Sequence, residues 1–221
     1  MQESKKVCSI HGGYNKGDYS CRFFELGIGR VASRSVCTAA RQLGLYAKHG
    51  LNGCGECEKD AVKKIMYGDA HFDLYKTCEY SGDFPFVHWR LLHKQFPAAK
   101  FILPVRSVEE WLDAFERTKR DRQYARLARK GPIEFKYLGR LLIYSQVDYN
   151  RDVWKKMFDQ YNQKVIETIE SERLLVLNVW EMSDEVLWEK LAAFTETEKL
   201  STPFPKQNRK LRYLRLDEEP L

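Results

Sequence analysis

The hydrophobic pattern of the chain alternates between short unbroken apolar runs and runs spaced like one face of a helix. "RFFELGIG", Arg22 to Gly29, is a short apolar strand ending in glycines, after which Val36, Ala39, Ala40 and Leu43 recur at helical spacing until Gly44. This predicts one strand–turn–helix unit. A glycine- and cysteine-rich link from Gly50 to Cys57 leads to a short helix in "EKDAVKKIMYG" and a second strand in "HFDLYKTC". A helix from about Phe86 to Phe96 follows. "AKFILPVR" is then an uninterrupted apolar run up to Arg106, of the kind buried on both faces of a parallel sheet.

Ser107 with Glu110 forms a capping-box pattern, and Val108, Trp111, Leu112 and Phe115 recur at i, i+3, i+4 and i+7. Residues 117–130 read as a basic helix and 131–170 as one or two helices rich in aromatics. "RLLVLNVW", Arg173 to Trp180, is the last strand; Asp184 is expected to cap a final helix through Leu187, Trp188, Leu191 and Phe194, before the turn "STPFPKQN". Strands alternating with helices imply an α/β fold with a parallel sheet covered on both faces and joined by right-handed crossovers. Ligands of such sheets bind at the carboxyl ends of the strands.

A chain of 221 residues, 43% hydrophobic, can bury one sizeable core, so one domain over 1–221 is expected, with a loose arm at 1–21 and a charged tail at 209–221. The net charge of +6 favours an anionic ligand, yet 31 acidic against 37 basic residues is too balanced for a dedicated nucleic-acid binder. The sequence shows no apolar h-region near Met1 and no run of about 18 apolar residues, which reads as a soluble protein without a membrane span. The six cysteines suit reduced thiols in the cytoplasm.

The turn Gly29 to Ser35 would place backbone N–H groups at a helix N-terminus, joined by Arg30, Ser33, Arg34 and Ser35 as donors, which suits a phosphate-like anion. The Gly-Lys-Ser/Thr of a nucleotide-triphosphate loop is absent, which disfavours a nucleotide kinase. The "FILPV" strand ends in Arg106 rather than in a magnesium-holding aspartate, and arginine there suits a ligand bound without a metal. The plainer alternative makes Gly27 and Gly29 a tight turn and Arg106 a surface ion-pair partner.

The stretch "LGIGRVASRSVCTAARQLG" resembles the 5′-phosphosulfate loop of sulfotransferases that use adenosine 3′-phosphate 5′-phosphosulfate (PAPS), in the branch whose loop reads G-x-x-R-T-G-T-x-S. Arg30 falls on the basic position, Ala32 on the glycine, Ser33 on the threonine and Ser35 on the last hydroxyl. "DFPFVHWRLLHKQFPAAKFILPVRSVEEW" and "RLLVLNVWE … LWEKLAAFTE … PFPKQN" resemble two further family segments in the same order, over roughly Phe23 to Asn208. The resemblance implies a P-loop-like three-layer sandwich with a central parallel β-sheet flanked by helices. It also implies PAPS as donor, with adenosine 3′,5′-bisphosphate as product. The 5′-phosphosulfate would lie on Arg30, Val31, Ala32, Ser33, Arg34 and Ser35, and the 3′-phosphate on Arg106. Two departures stand out. Ala32 puts a methyl where the family has glycine, and the 3′-phosphate serine falls on Ala114.

The resemblance does not fix the catalytic base. His49, where this branch tends to place a histidine, is favoured over Asp83 and His88, and Arg30 is the second residue expected to act in catalysis. Cys54 and Cys57 form a lone C-x-x-C, with His49, His11, Cys8 and Cys78 as conceivable further ligands; without a second pair, no metal site is assigned. The basic cluster from Arg117 to Lys130 suits an anionic acceptor, RNA, a membrane surface or a cofactor lid, or is a solvated helix face. The expected activity is sulfuryl transfer to a hydroxyl or amine of a small-molecule or sugar-like acceptor by metal-free in-line displacement. The alternative is a non-catalytic nucleotide- or polyanion-binding protein on the same fold. The oligomeric state is not set by the sequence, and a homodimer is kept open.

Overall fold

Consecutive side chains on the strands point into two different helical layers, which is what a sheet buried on both faces requires. The computed structural model describes residues 21–50, Tyr75, 78–83, 85–119 (backbone only for 117–119), Ile143 and 149–206. The strands are β1 (Phe23–Glu25), β2 (Ala47–His49), β3 (Tyr80–Gly82), β4 (Lys100–Val105) and β5 (Leu174–Asn178). The described helices are α1 (Ser33–Gln42), α2 (Trp89–Gln95), α3 (Val108–Lys119), α4 (Arg151–Thr168) and α5 (Asp184–Thr195), with short 3-10 turns at Pro85–His88 and Ser171–Arg173. The five strands form one sheet in the order β2-β3-β1-β4-β5, and every pairing is parallel.

Phe24, Phe101 and Leu103 face one layer, where they meet Trp89 and Leu92 of α2, Trp111 and Leu112 of α3, and Trp154, Phe158 and Val165 of α4. Phe23, Ile102 and Leu177 face the other, against Val36, Ala39 and Ala40 of α1 and Leu187, Trp188 and Leu191 of α5. All of these side chains are buried, and each large one contributes about 1.5–3 kcal/mol by leaving water. The expected three-layer α/β sandwich is the observed one. Trp154, Phe158 and Tyr161, aromatics of the helical stretch expected over 131–170, belong to the core.

The local signals explain the element ends. The amide of Glu110 donates to Ser107 Oγ at 3.4 Å, half of the capping box. Asn150 caps α4 by accepting from the amides of Asp152 and Val153 at 3.1 Å. Gly44, at φ +87°, closes α1 as expected.

Two expectations need correction. Of the strand expected over His71–Cys78, the described Tyr75 and Cys78 are not in a strand and the rest lies outside the described residues, while a strand forms just beyond it at Tyr80–Gly82. The cap of α5 is Ser183, whose hydroxyl accepts from the Val186 amide at 3.3 Å. Asp184 is the first helical residue, and its carboxylate accepts from the Phe204 amide at 3.1 Å and pairs with Lys206 at 2.8 Å, which fastens the proline-rich turn. An aspartate in the first turn is favoured by the helix dipole without being the cap.

Candidate active site

Because all strands run parallel, their carboxyl ends share one edge of the sheet. β1 and β4 are neighbours, but the chain leaves β1 towards β2 and β3 and leaves β4 towards β5. Such a reversal opens a crevice between the two strand ends, where ligands of α/β sheets bind. The loop after β1 and Arg106 after β4 are the two walls of that crevice.

The loop is held from below by its apolar side chains. Leu26, Ile28 and Val31 are buried; the Tyr161 hydroxyl donates to the Leu26 carbonyl at 2.8 Å, and the Trp111 indole N–H to the Gly29 carbonyl at 3.0 Å. Gly27 has no room for a side chain, since a Cβ would lie 2.6 Å from Val31 Cγ2 and 3.0 Å from both Pro104 Cδ and Glu25 Oε1. A Cβ at Gly29 would meet nothing within 4 Å, so the cradle is open on that side. Arg30 and Ala32 both adopt positive φ, 84° and 71°, a conformation that costs an L-residue about 1–2 kcal/mol. Ala32 is the residue before α1, no side chain caps the helix there, and its carbonyl takes the amides of Ser35 and Val36. The first turn of α1 therefore presents its dipole to the crevice with the geometry of an anion nest.

Around this cradle, Ser33 and Ser35 are buried, Arg30 is half-buried and Arg34 exposed. The Arg30 guanidinium lies 5.9 Å from the Phe115 ring centroid. Arg106 Nη1 donates to the Arg30 carbonyl at 3.5 Å and Nε to Glu110 Oε2 at 3.3 Å, while its guanidinium lies 4.8 Å from the ring centroid of the partly exposed Trp180. Arg106 is thus tied to the loop rather than being only a surface ion-pair partner. Ala114 is half-buried on α3 and supplies no hydroxyl.

The three candidate bases separate clearly. His49, at the carboxyl end of β2, has Nε2 2.9 Å from Ser33 Oγ and Nδ1 3.8 Å from Asp83 Oδ2. Asp83 therefore stands behind His49 rather than apart from it. His88 is buried, with Nε2 2.8 Å from the Tyr75 hydroxyl, and burial lowers its pKa to about 3. A neutral imidazole in the core layer fits a structural role.

Sequence reasoning missed three features. In the sequence, Trp180 reads only as the end of a strand. The Ser33–His49 contact joins residues too far apart in the chain for a local pattern to show it. Glu25 is fully buried at the end of β1, where it accepts from the Tyr80 hydroxyl at 3.3 Å; its Oε1 has no hydrogen-bond partner among the described residues. Burial, reinforced by the negative charge of Asp83, holds the Glu25 carboxyl well above the usual carboxylate range. An acid in step with Phe23, on the buried face of an apolar strand, was the available signal.

The C-x-x-C pair Cys54 and Cys57, His11, Cys8 and the side chains of the basic cluster from Arg117 to Lys130 lie outside the described residues. Among the described residues, no group of three or more His, Cys, Asp or Glu is placed to hold a metal, and no helix is long and apolar enough to cross a membrane. Cys21, Cys37 and Cys78 are buried free thiols. A family model described as a sulfotransferase domain matches residues 22–213. No curated protein matches the chain.

Proposed function

The chain belongs to the sulfotransferase family, and from that premise we propose that it moves a sulfuryl group from PAPS to a hydroxyl or amine of a small-molecule or sugar-like acceptor in the cytoplasm. The carrying observation is the 2.9 Å contact between Ser33 Oγ, at the start of α1, and Nε2 of His49. It puts a half-buried imidazole at that edge within a hydrogen bond of the loop expected to hold the reacting phosphosulfate.

The bound donor supplies an activated sulfuryl group on a phosphate leaving group. The chain's task is placement and charge stabilisation. The amides at Val31 to Arg34, the hydroxyls of Ser33 and Ser35 and the guanidinium of Arg30 hold the 5′ end and offset the charge that grows on the leaving oxygen. Arg34, which is exposed, adds charge at the rim. Arg106 takes the 3′-phosphate. The open side of Gly29 and the left-handed Arg30 and Ala32 fit the close approach of an anion to the backbone. Ala114 leaves one donor fewer, which weakens the 3′ contact by about 1–3 kcal/mol. His49 Nε2 removes the acceptor's proton as the new S–O or S–N bond forms.

The test is calorimetry with adenosine 3′,5′-bisphosphate, followed by labelled PAPS with a broad acceptor panel. Binding and transfer are expected. A folded sample that ignores the bisphosphate at high micromolar concentration overturns the reading, and binding without transfer to any acceptor favours a non-catalytic nucleotide-binding protein.

A further inference from the structure

Two carboxyl groups sit beneath the same corner of the crevice, and the structure makes them different. Glu25 is fully buried and, among the described residues, meets neutral donors, the Tyr80 hydroxyl and the Gly27 amide. Asp83 is 40% exposed at its side chain and reaches His49. Two interacting acids with unequal solvation divide their roles, one staying protonated and the other carrying the charge. Burial favours the neutral form of Glu25, whereas the carboxylate of Asp83 is partly open to solvent.

The backbone aims Asp83. β2 and β3 are in register with His49 opposite Gly82, and the Gly50 amide donates to the Gly82 carbonyl at 2.8 Å. The next residue, Asp83, turns left-handed at φ +68°, which returns its carboxylate to the imidazole. Both ring nitrogens of His49 are therefore addressed, Nδ1 by Asp83 and Nε2 by Ser33.

We propose that Asp83 is a positioning residue for His49, keeping the ring proton on Nδ1 so that Nε2 presents its lone pair to Ser33 and then to the acceptor. This rests on the reading of His49 as the base. Among the described residues, Ser33 of α1 contacts His49, Cys37 of α1 and Glu25 of β1 lie close enough to feel the charge of Asp83, and Tyr80 of β3 is bonded to Glu25. Burial raises the pKa of Cys37, Glu25 and Tyr80 and so disfavours their charged forms, while the more exposed carboxylate of Asp83 faces Nδ1 at 3.8 Å.

The experiment is NMR titration of the imidazole nitrogens in the nucleotide-free protein, with His49→Gln identifying the signal. Asp83→Asn is the variant of choice because asparagine tolerates positive φ as well as aspartate does. The titration midpoint of His49 is expected to fall by about one pH unit and the Nε2–H tautomer to gain population. The acid limb of kcat/KM for sulfuryl transfer should move with it, while KM for PAPS stays within about twofold. Glu25→Gln should leave the His49 midpoint in place. An unchanged midpoint and tautomer in Asp83→Asn, or an equal shift in Glu25→Gln, overturns the proposal. If no sulfuryl transfer exists at all, the NMR arms still decide the Asp83–His49 relation; normal transfer with an unmoved titration defeats this inference alone.

Discussion

The two edges of the sheet solve the problem of charge in opposite ways. At the amino edge, Lys100 reaches Glu196 at 2.8 Å and the Phe194 carbonyl at 3.2 Å, and Arg22 approaches the same carboxylate at 3.8 Å. Arg173 there serves the carbonyls of Phe96 and Ala99 and the carboxylate of Glu170, all at 3.0 Å. Every one of these charges has a partner of opposite sign or a helix-end carbonyl. At the carboxyl edge the bookkeeping is left open: a buried acid that meets no cation among the described residues, two left-handed non-glycine residues in one loop, and a helix start without a side-chain cap. The first edge pairs its charges, with a single left-handed residue at the end of α5, Glu196 at φ +58°, and the second gathers two left-handed residues and a buried acid with an unpaired oxygen around one crevice, as ligand sites do.

The contrast can be broken by substitution. The largest expected effect is on acid stability. His88 has a folded pKa of about 3 against an ordinary 6.5, so its contribution is complete above about pH 6.5 and is lost as the pH falls towards 3, at about 1.4 kcal/mol per pH unit. His88→Gln, which can keep a bond to Tyr75, should flatten that limb in denaturant titrations at several pH values; an unchanged acid slope contradicts a buried neutral imidazole.

Glu25 titrates in the opposite sense. A carboxyl whose folded pKa is raised stabilises fully below its unfolded value, near 4.5, and that stability is lost as the pH rises towards the folded value. Glu25→Gln should therefore be more stable than the parent at pH 8, with the gap closing towards pH 4. A variant that is less stable at pH 8 would show that the carboxylate has a cationic partner.

Ala32→Gly removes the β-carbon from a left-handed position. It should raise stability by about 0.5–1 kcal/mol in urea unfolding; a loss would mean that the methyl packs usefully. The smallest effect belongs to the amino edge, where Glu196→Gln should shift the thermal midpoint within measurement error, because the Glu196 carboxylate is 64% exposed and Lys100 keeps its bond to the Phe194 carbonyl. A drop of several degrees would erase the distinction between a trimmed stable edge and a strained site.

What could be read in the sequence divides along physical lines. β4 and β5 were legible because strands buried on both faces are unbroken apolar runs, as in "FILPV" and "LLVLN". β2, Ala47–His49, was not, because three residues including a lysine and a histidine carry no period. The loop and Arg106 were legible from residue type and position. The Ser33–His49–Asp83 line was not, because it is made by the register of β2 against β3 and by one left-handed turn, neither of which leaves a local pattern.

The central claim is that Arg106 and the loop after β1 form one site for a nucleotide carrying phosphate at both its 3′ and 5′ ends. Its most direct test is the calorimetric affinity of adenosine 3′,5′-bisphosphate and adenosine 5′-phosphate for the parent and for Arg106→Ala. The substitution should weaken the bisphosphate by about 10- to 100-fold, as loss of a charge-assisted contact does, and leave the 5′-phosphate within about twofold. Equal losses for the two ligands, or no loss for either, would contradict the account.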